Sequence, residues 1–242
     1  MNDQIEKNGK TAAQQAGHPH PMTAVIREIY SIFRDIGYDV AQGPEIETEF
    51  YNFDALNIPK DHPARDMQDT FWIKSKDRKV LRTQTSAVQI RYMENHKPPF
   101  KIIVPGKVFR NEATDATHEA QFYQVEALCV DKNVSLADLK GVLTYFFKRL
   151  FGDDVVVRFR PSFFAFTEPS LEVDMQWKGR WLEMGGAGIV HPKVFESCGV
   201  DAKEWSGFAF GFGIDRLVML KYGIDDIRLM YQGDLRLVNQ FS

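Results

Sequence analysis

Cysteine is nearly missing: Cys129 and Cys198 are the only two in 242 residues, too few for a disulfide framework or a zinc site. No stretch approaches the ~18 apolar residues that a membrane span needs. The first residues lack the charged start and apolar core of a secretory signal. Charge of one sign is not in excess either, since 30 basic and 33 acidic side chains leave a net of -3. A polyanionic partner must therefore be met by a few placed Arg and Lys and not by a bulk field. What is abundant is apolar bulk: 44% of the residues are hydrophobic and 19 are Phe, enough to bury a core and to exclude intrinsic disorder. The expectation is a cytoplasmic protein of a reducing compartment with no membrane partner.

Residues 1–20 are polar, contain Gly and have no apolar periodicity, which predicts a mobile arm; His18 and His20 in it read as solvated and not as metal ligands. From 21 to 242 one folded domain is expected. Val25, Ile26, Ile29, Ile32, Phe33 and Ile36 recur at helical spacing and Gly37 stops them, predicting an amphipathic helix. Tyr38 to Pro44 should be extended, because the residue before a proline is held out of the helical region. The stretch from there to Asp69 is polar and broken by Pro, as in an ordered functional loop. A short helix is predicted over 86–95, strands over 102–109 and 122–130, and a helix after Ser135, which forms a capping-box pattern with Asp138. Further strands are predicted over 155–159, 164–177 and 181–190, and a last helix over 215–222, ended by Gly223. Strands joined mainly by loops, with helices apart, give an α+β fold with a mostly antiparallel sheet flanked by helices.

Three segments concentrate chemistry. The first is Val108-Phe109-Arg110-Asn111-Glu112, a loop, and then His118 to Glu126. Alternate residues of a strand share a face, so Arg110 points with Glu112, and Phe122 with Gln124 and Glu126. The opposite parity, Tyr123, Val125, Ala127 and Cys129, is of core type. A solvated strand face with paired charges would read the same way. The second segment is Ser206 to Leu217, a Gly-rich turn leading into a helix that starts with Asp215-Arg216. The P-loop pattern is absent from the chain, and the βαβ context of a Rossmann fingerprint is not predicted. The third is Arg160 to Ser170, where Phe164, Phe166 and Glu168 share parity. Gly185, Gly186 and Gly188 then leave space beside the rings. Core packing explains aromatic alternation by itself, but space beside rings suggests a pocket.

Taken together, the segments carry a resemblance. Phe-Arg-x-Glu at 109–112, followed by His-x3-Phe-x3-Glu at 118–126, resembles motif 2 of class II aminoacyl-tRNA synthetases. Gly-x-Gly-x-Asp-Arg at 211–216 resembles motif 3. The helix ending at Gly37-Tyr38, with Gly43-Pro44, is similar to motif 1, the dimer-building segment. Within the class the text is similar to the α chains of bacterial phenylalanyl-tRNA synthetases. Gly-Pro-Glu-Ile-Glu at 43–47, Asn-Phe-Asp-Ala-Leu-Asn-Ile-Pro at 52–59 and Arg-Thr-Gln-Thr-Ser at 82–86 carry the likeness. So do Asp-Ala-Thr-His at 115–118, Phe-Thr-Glu-Pro-Ser at 166–170 and Gly-Phe-Ala-Phe-Gly at 207–211. It covers nearly all of residues 18–241.

The resemblance implies the class II catalytic fold and ATP-dependent activation of phenylalanine, followed by transfer to tRNA(Phe), with ATP and Mg2+ required. It implies that Arg110 and Arg216 are catalytic, Arg110 on the α-phosphate, and that Phe122 and Arg216 sandwich the adenine. Glu112 would accept from the adenine amino group and His118 approach the outer phosphates. Phe164 and Phe166 would hold the substrate ring, with Ala209 at its far end. Gln124 and Glu126 would bind the ammonium group, assisted by Trp72, Gln84 and Ser86, and Glu168 is similar to the family's magnesium ligand at the boundary with the β subunit of an α2β2 assembly. An apolar slot rejects an added hydroxyl by only about a hundredfold, so editing of tyrosine is expected on that partner chain. Family α chains open with a helical hairpin that reaches tRNA, and the arm here offers no such hairpin. Two other readings stand beside this one: a silent paralogue that binds without catalysis, and a relative activating another amino acid such as phosphoserine or pyrrolysine.

Overall fold

The computed structural model of the protein describes residues 19–65, 70–74 and 76–241. His18 and all of the expected arm except residues 19 and 20 lie outside them. In chain order the strands are β1 (Asp39–Val40), β2 (Ile46–Thr48), β3 (Trp72–Ile73), β4 (Lys79–Leu81), β5 (Phe100–Phe109), β6 (Gln121–Asp131), β7 (Val157–Phe164), β8 (Thr167–Trp177), β9 (Arg180–Val190) and β10 (Ser206–Gly213). The helices are α1 (Pro21–Asp35), α2 (Glu49–Asn52), α3 (Ser86–Asn95), α4 (Leu136–Phe151), α5 (Pro192–Ser197), α6 (Ile214–Tyr222) and α7 (Leu235–Val238). The main sheet runs β1-β5-β6-β10-β9-β8-β7, and β2-β4-β3 form a small second sheet. Among the described residues only β1 and β5 pair in parallel; every other pairing is antiparallel.

Each face of the main sheet buries its own apolar set. Val125, Ala127 and Cys129 of β6, the core-type parity, pack with α1, α4 and α6. Leu128 and Val130 of the same strand pack on the other side with Val88 and Ile90 of α3 and Phe195 of α5. The helices form where the sequence supplies caps. His20 accepts from the Met22 N–H through Nδ1, with Pro21 opening α1, and Ser135 and Asp138 complete a capping box on α4. Gly37 and Gly223 take positive φ, at +82° and +69°, to end their helices, a conformation in which glycine avoids the Cβ penalty. Phe33 of α1 stacks on Phe146 of α4 with centroids 5.1 Å apart, and Phe146 on Phe212 of β10 at 6.0 Å. Truncating such a buried ring commonly costs about 3–5 kcal/mol. The helical layer therefore braces the back of β10, while the front of β6, β10 and β9 carries the site.

Three expectations are corrected. The irregular stretch before Asp69 contains β2, α2 and short 3-10 turns at Asp54–Leu56 and Pro63–Arg65, each too short to show periodicity. The strand expected over 164–177 is two strands, because β7 ends at Phe164 and β8 begins at Thr167. Phe164 and Phe166 therefore meet across a hairpin tip and not by strand parity. The Gly-rich turn of 206–213 is β10, an inner strand between β6 and β9. Its glycine is dictated by contact: a Cβ on Gly211 would lie 2.9 Å from Glu126 Cγ. The helix α5 gave no signal strong enough to be anticipated.

Candidate active site

A cavity of about 450 Å³ opens on the front of the sheet, with Gln84, Ser86, Arg110, Phe122, Gln124, Glu126, Phe164, Phe166 and Ala209 all in its lining. Its floor is β6, β10 and β9, paired so that Ala209 lies between Leu128 and Gly188. One wall is polar. Glu126, 5% exposed, accepts from Ser86 Oγ and from Gln89 Nε2, each at 2.6 Å. Burial pushes its carboxyl up to about 7, against the pull of the Ser86 hydroxyl and of Arg110 and Arg82. Gln124 Oε1 accepts from the Thr85 N–H at 3.4 Å, and Gln84 Nε2 donates to the Asn52 carbonyl at 3.4 Å.

The opposite wall is aromatic. Phe164 and Phe166 stack with centroids 5.8 Å apart and planes 12° from parallel, a favourable ring geometry. A Cβ on Gly186 would come within 2.7 Å of the Phe164 ring, so only glycine at that position leaves the ring where it is. An apolar slot that ends in a buried acceptor suits a small zwitterion with a flat apolar side chain.

A second cavity, of about 400 Å³, takes Glu112, His118, Asp215 and Arg216 into its lining. Arg110, Phe122 and Gly213 line both cavities, so the two share a wall. The Arg110 guanidinium carbon sits 5.0 Å over the Phe122 ring, its Nε donates to the Thr83 carbonyl at 3.3 Å, and its Nη1 lies 3.9 Å from Glu112 Oε1. His118 is held through Nδ1 at 3.1 Å from Asp115. The Thr117 backbone N–H, and next the His118 side chain, keep the Asp115 carboxyl well below the usual carboxylate range. The Ile227 N–H donates to the Ala116 carbonyl at 2.9 Å, fastening this loop to the C-terminal segment.

Trp72 and Glu168 are the expected site residues that line neither cavity. Trp72 stacks on Phe53 with centroids 6.3 Å apart, and its indole Nε1 is buried with no hydrogen-bond partner among the described residues. Glu168 is exposed and pairs with His191 Nε2 at 3.3 Å. Two residues were given no role from the sequence. Gln89 lies one helical turn after Ser86 and shares its grip on Glu126, a spacing of three that could have flagged it. Asp215, 2% exposed, accepts from the Tyr123 N–H at 2.6 Å and from the Tyr231 hydroxyl. Burial raises its carboxyl to about 6 despite those two donors. It fixes the start of α6, and so the root of Arg216, against β6; nothing in the text around it signals that anchoring.

Comparisons with known proteins show the family and the fold. Residues 4–241 match the family model for the class II core domain of tRNA synthetases. The chain is 54% identical over 93% of its length to the phenylalanine--tRNA ligase alpha subunit of Prochlorococcus marinus subsp. pastoris, covering 66% of that protein. It is 52% identical over 99% of its length to the corresponding subunit of Clostridium perfringens, covering 74% of it. The chain thus spans about two thirds to three quarters of the relatives it matches. The crystal structure of pyrrolysyl-tRNA synthetase from Desulfitobacterium hafniense superposes with a TM-score of 0.70 over 90% of this chain and 75% of that one. At 16% identity it speaks for the fold alone. A class II core matched from end to end, and relatives above 50% identity over nearly the whole chain, place this protein in the family of phenylalanine--tRNA ligase alpha subunits.

Proposed function

We propose that the joined cavities carry out ATP-dependent activation of phenylalanine and its transfer to tRNA(Phe). The observation that carries this reading is the shared wall: Arg110 faces both an aromatic slot and a second cavity lined by Arg216. In the first step a phenylalanine carboxylate oxygen attacks the α-phosphorus of ATP and pyrophosphate leaves. In the second a hydroxyl of the tRNA's terminal adenosine attacks the activated carbonyl and AMP leaves. Such chemistry asks the protein mainly for alignment and for charge stabilisation. Arg110 bridges the carboxylate and the α-phosphate, for which a planar fork is suited. Phe122 and Arg216 enclose the adenine by stacking and cation–π attraction, Glu112 accepts from its amino group, and His118 approaches the outer phosphates.

The slot holds the amino acid. Phe164 and Phe166 pack on the ring and Ala209 leaves room at its far end. Gln124 and Glu126 take the ammonium group with help from Gln84 and Ser86, and Trp72 assists from outside the cavity lining. Glu126 has the burial and the acceptor set for that task, because an arriving ammonium supplies the direct ion pair that Arg110 and Arg82 do not make with it.

For Mg2+ the fit is partial. Among the described residues no three His, Cys, Asp or Glu side chains cluster to hold a metal, and Glu168 offers one exposed carboxylate. A hard oxygen suits the ion, so Glu168 would supply one ligand of a site completed at the boundary with a partner chain. When bound, the ion neutralises phosphate charge. The partner is a β subunit, as the name of the relatives implies, in an α2β2 assembly. The free thiols of Cys129 and Cys198 are in keeping with a cytoplasmic setting, and no helix among the described residues is long and apolar enough to cross a membrane. The test is amino-acid-dependent pyrophosphate exchange with and without the β chain. Exchange with phenylalanine is the expected result. Binding without exchange would select a silent paralogue, and preference for another amino acid would redirect the substrate.

A further inference from the structure

The segment Asn52–Pro59 is left without a role by the chemistry above, yet it touches both walls of the slot. At one end the Asn52 side chain is fully buried and spent on Thr83: Nδ2 donates to Thr83 Oγ1 at 3.0 Å and Oδ1 accepts from the Thr83 N–H at 3.2 Å. Thr83 begins the loop that carries Gln84 and leads into α3 at Ser86. At the other end Asn57 sits in the left-handed region with φ +57°, a conformation that Asn tolerates better than most residues. There its Nδ2 donates to the Ala165 carbonyl at 2.6 Å, across 108 positions of sequence. Ala165 is the peptide between the two stacked rings. The neighbours of Asn57, Leu56 and Ile58, face the cavity, and the Ala55 carbonyl is anchored by Ser197 Oγ at 2.9 Å.

We propose that Asn57 is a specificity-positioning residue: by fixing the hairpin tip between Phe164 and Phe166, its amide sets the depth of the aromatic slot. The inference rests on reading that slot as the phenylalanine site. The tip is held from two sides, because the Phe164 N–H donates to Ser170 Oγ at 3.0 Å from within the hairpin and the Asn57 amide holds the next carbonyl from outside. A turn residue that loses its external partner leaves a carbonyl unsatisfied and free to rotate. The rings on either side of it then lose their fixed spacing, and an added para hydroxyl meets a softer wall.

The test uses the chain assembled with its β partner and reads pyrophosphate exchange with phenylalanine and with tyrosine. Asn57→Gly tolerates the left-handed backbone and removes the side chain with its amide; Asn57→Asp keeps the shape and sets a carboxylate against the Ala165 carbonyl. For both variants the KM for phenylalanine should rise roughly five- to tenfold, as the loss of one half-buried hydrogen bond implies. Preference for phenylalanine over tyrosine should fall, while the KM for ATP stays put. Wild-type KM and preference in Asn57→Gly would overturn the proposal. So would a parallel rise of both KM values with a fall in melting temperature, or loss of the folded complex in both variants, since either assigns Asn57 to folding alone. A wild-type enzyme with no phenylalanine-dependent exchange would instead refute the reading of the slot.

Discussion

Replacing Glu126 by Gln should move stability and substrate affinity in opposite directions. The carboxyl is 5% exposed and titrates at about 7 against an ordinary value of 4.5. The folded state therefore holds its proton over a pH range in which the unfolded chain has already released it. Between pH 4.5 and 7 the unfolded state binds fewer protons, so stability falls as pH rises through that window and the full cost is present above it. At 1.36 kcal/mol per pH unit the cost reaches about 3 kcal/mol at neutral pH in the empty enzyme. Glu126→Gln removes the charge while its amide oxygen can still accept from Ser86 or Gln89. The empty variant should therefore melt higher at pH 8, and the gain should shrink toward pH 4.5. Phenylalanine affinity should fall by roughly ten- to a hundredfold, the worth of a charged hydrogen bond. In the wild type the ammonium group needs the ionised carboxylate, so binding at pH 6 should be about tenfold weaker than on the plateau above pH 7. Glu126→Gln should show no such slope. Thermal melts of the empty enzyme and calorimetric titration with phenylalanine, both across pH 5.5–8, read the two effects. A variant that melts lower at pH 8 while binding phenylalanine with wild-type strength and wild-type pH dependence would refute the reasoning.

Further tests address the slot and the second cavity. Ala209→Gly should admit para-substituted phenylalanines in pyrophosphate exchange, and an unchanged substrate range would reverse the assigned orientation of the ring. Tyrosine should be activated at about a hundredfold lower efficiency, and mischarged tyrosyl-tRNA should be cleared only when the β chain is present; clearance by this chain alone would contradict that division. Asp215→Ala frees the Tyr123 N–H and the Tyr231 hydroxyl that Asp215 now holds. It should raise the KM for ATP while leaving the KM for phenylalanine near its wild-type value, because α6 roots Arg216 and not the aromatic wall.

Much of this arrangement was legible in the sequence because it rests on long periodic elements. The apolar stripes of α1 and α4, the Ser135–Asp138 cap, the β5–β6 hairpin and the alternation that sends Glu126 to the front and Val125 to the back follow from spacing alone. What escaped was set by tertiary contact. β10 read as a turn because glycine carries no strand signal, yet Gly211 is required by the side chains of Glu126 and Gln124 beside it. The hairpin tip at Ala165–Phe166 was hidden inside an aromatic run with no turn residue to mark it. Its latch, Asn57, lies 108 positions away, a separation no local rule spans. Asp215 gave no sign of its task, since its partners Tyr123 and Tyr231 are brought to it only by the packing of α6 on β6.

The central claim is that one nucleotide and one amino acid meet at Arg110, with the ring in the Phe164–Phe166 slot and the adenine toward Arg216. A crystal structure of the αβ complex with a non-hydrolysable phenylalanyl-adenylate analogue tests it most directly. The account expects the phosphate mimic on the Arg110 guanidinium, the phenyl ring against Phe164 and Phe166, and the ammonium on Glu126. An analogue bound with its phenyl ring outside that slot, or with Arg110 and Arg216 both free of it, would contradict the account.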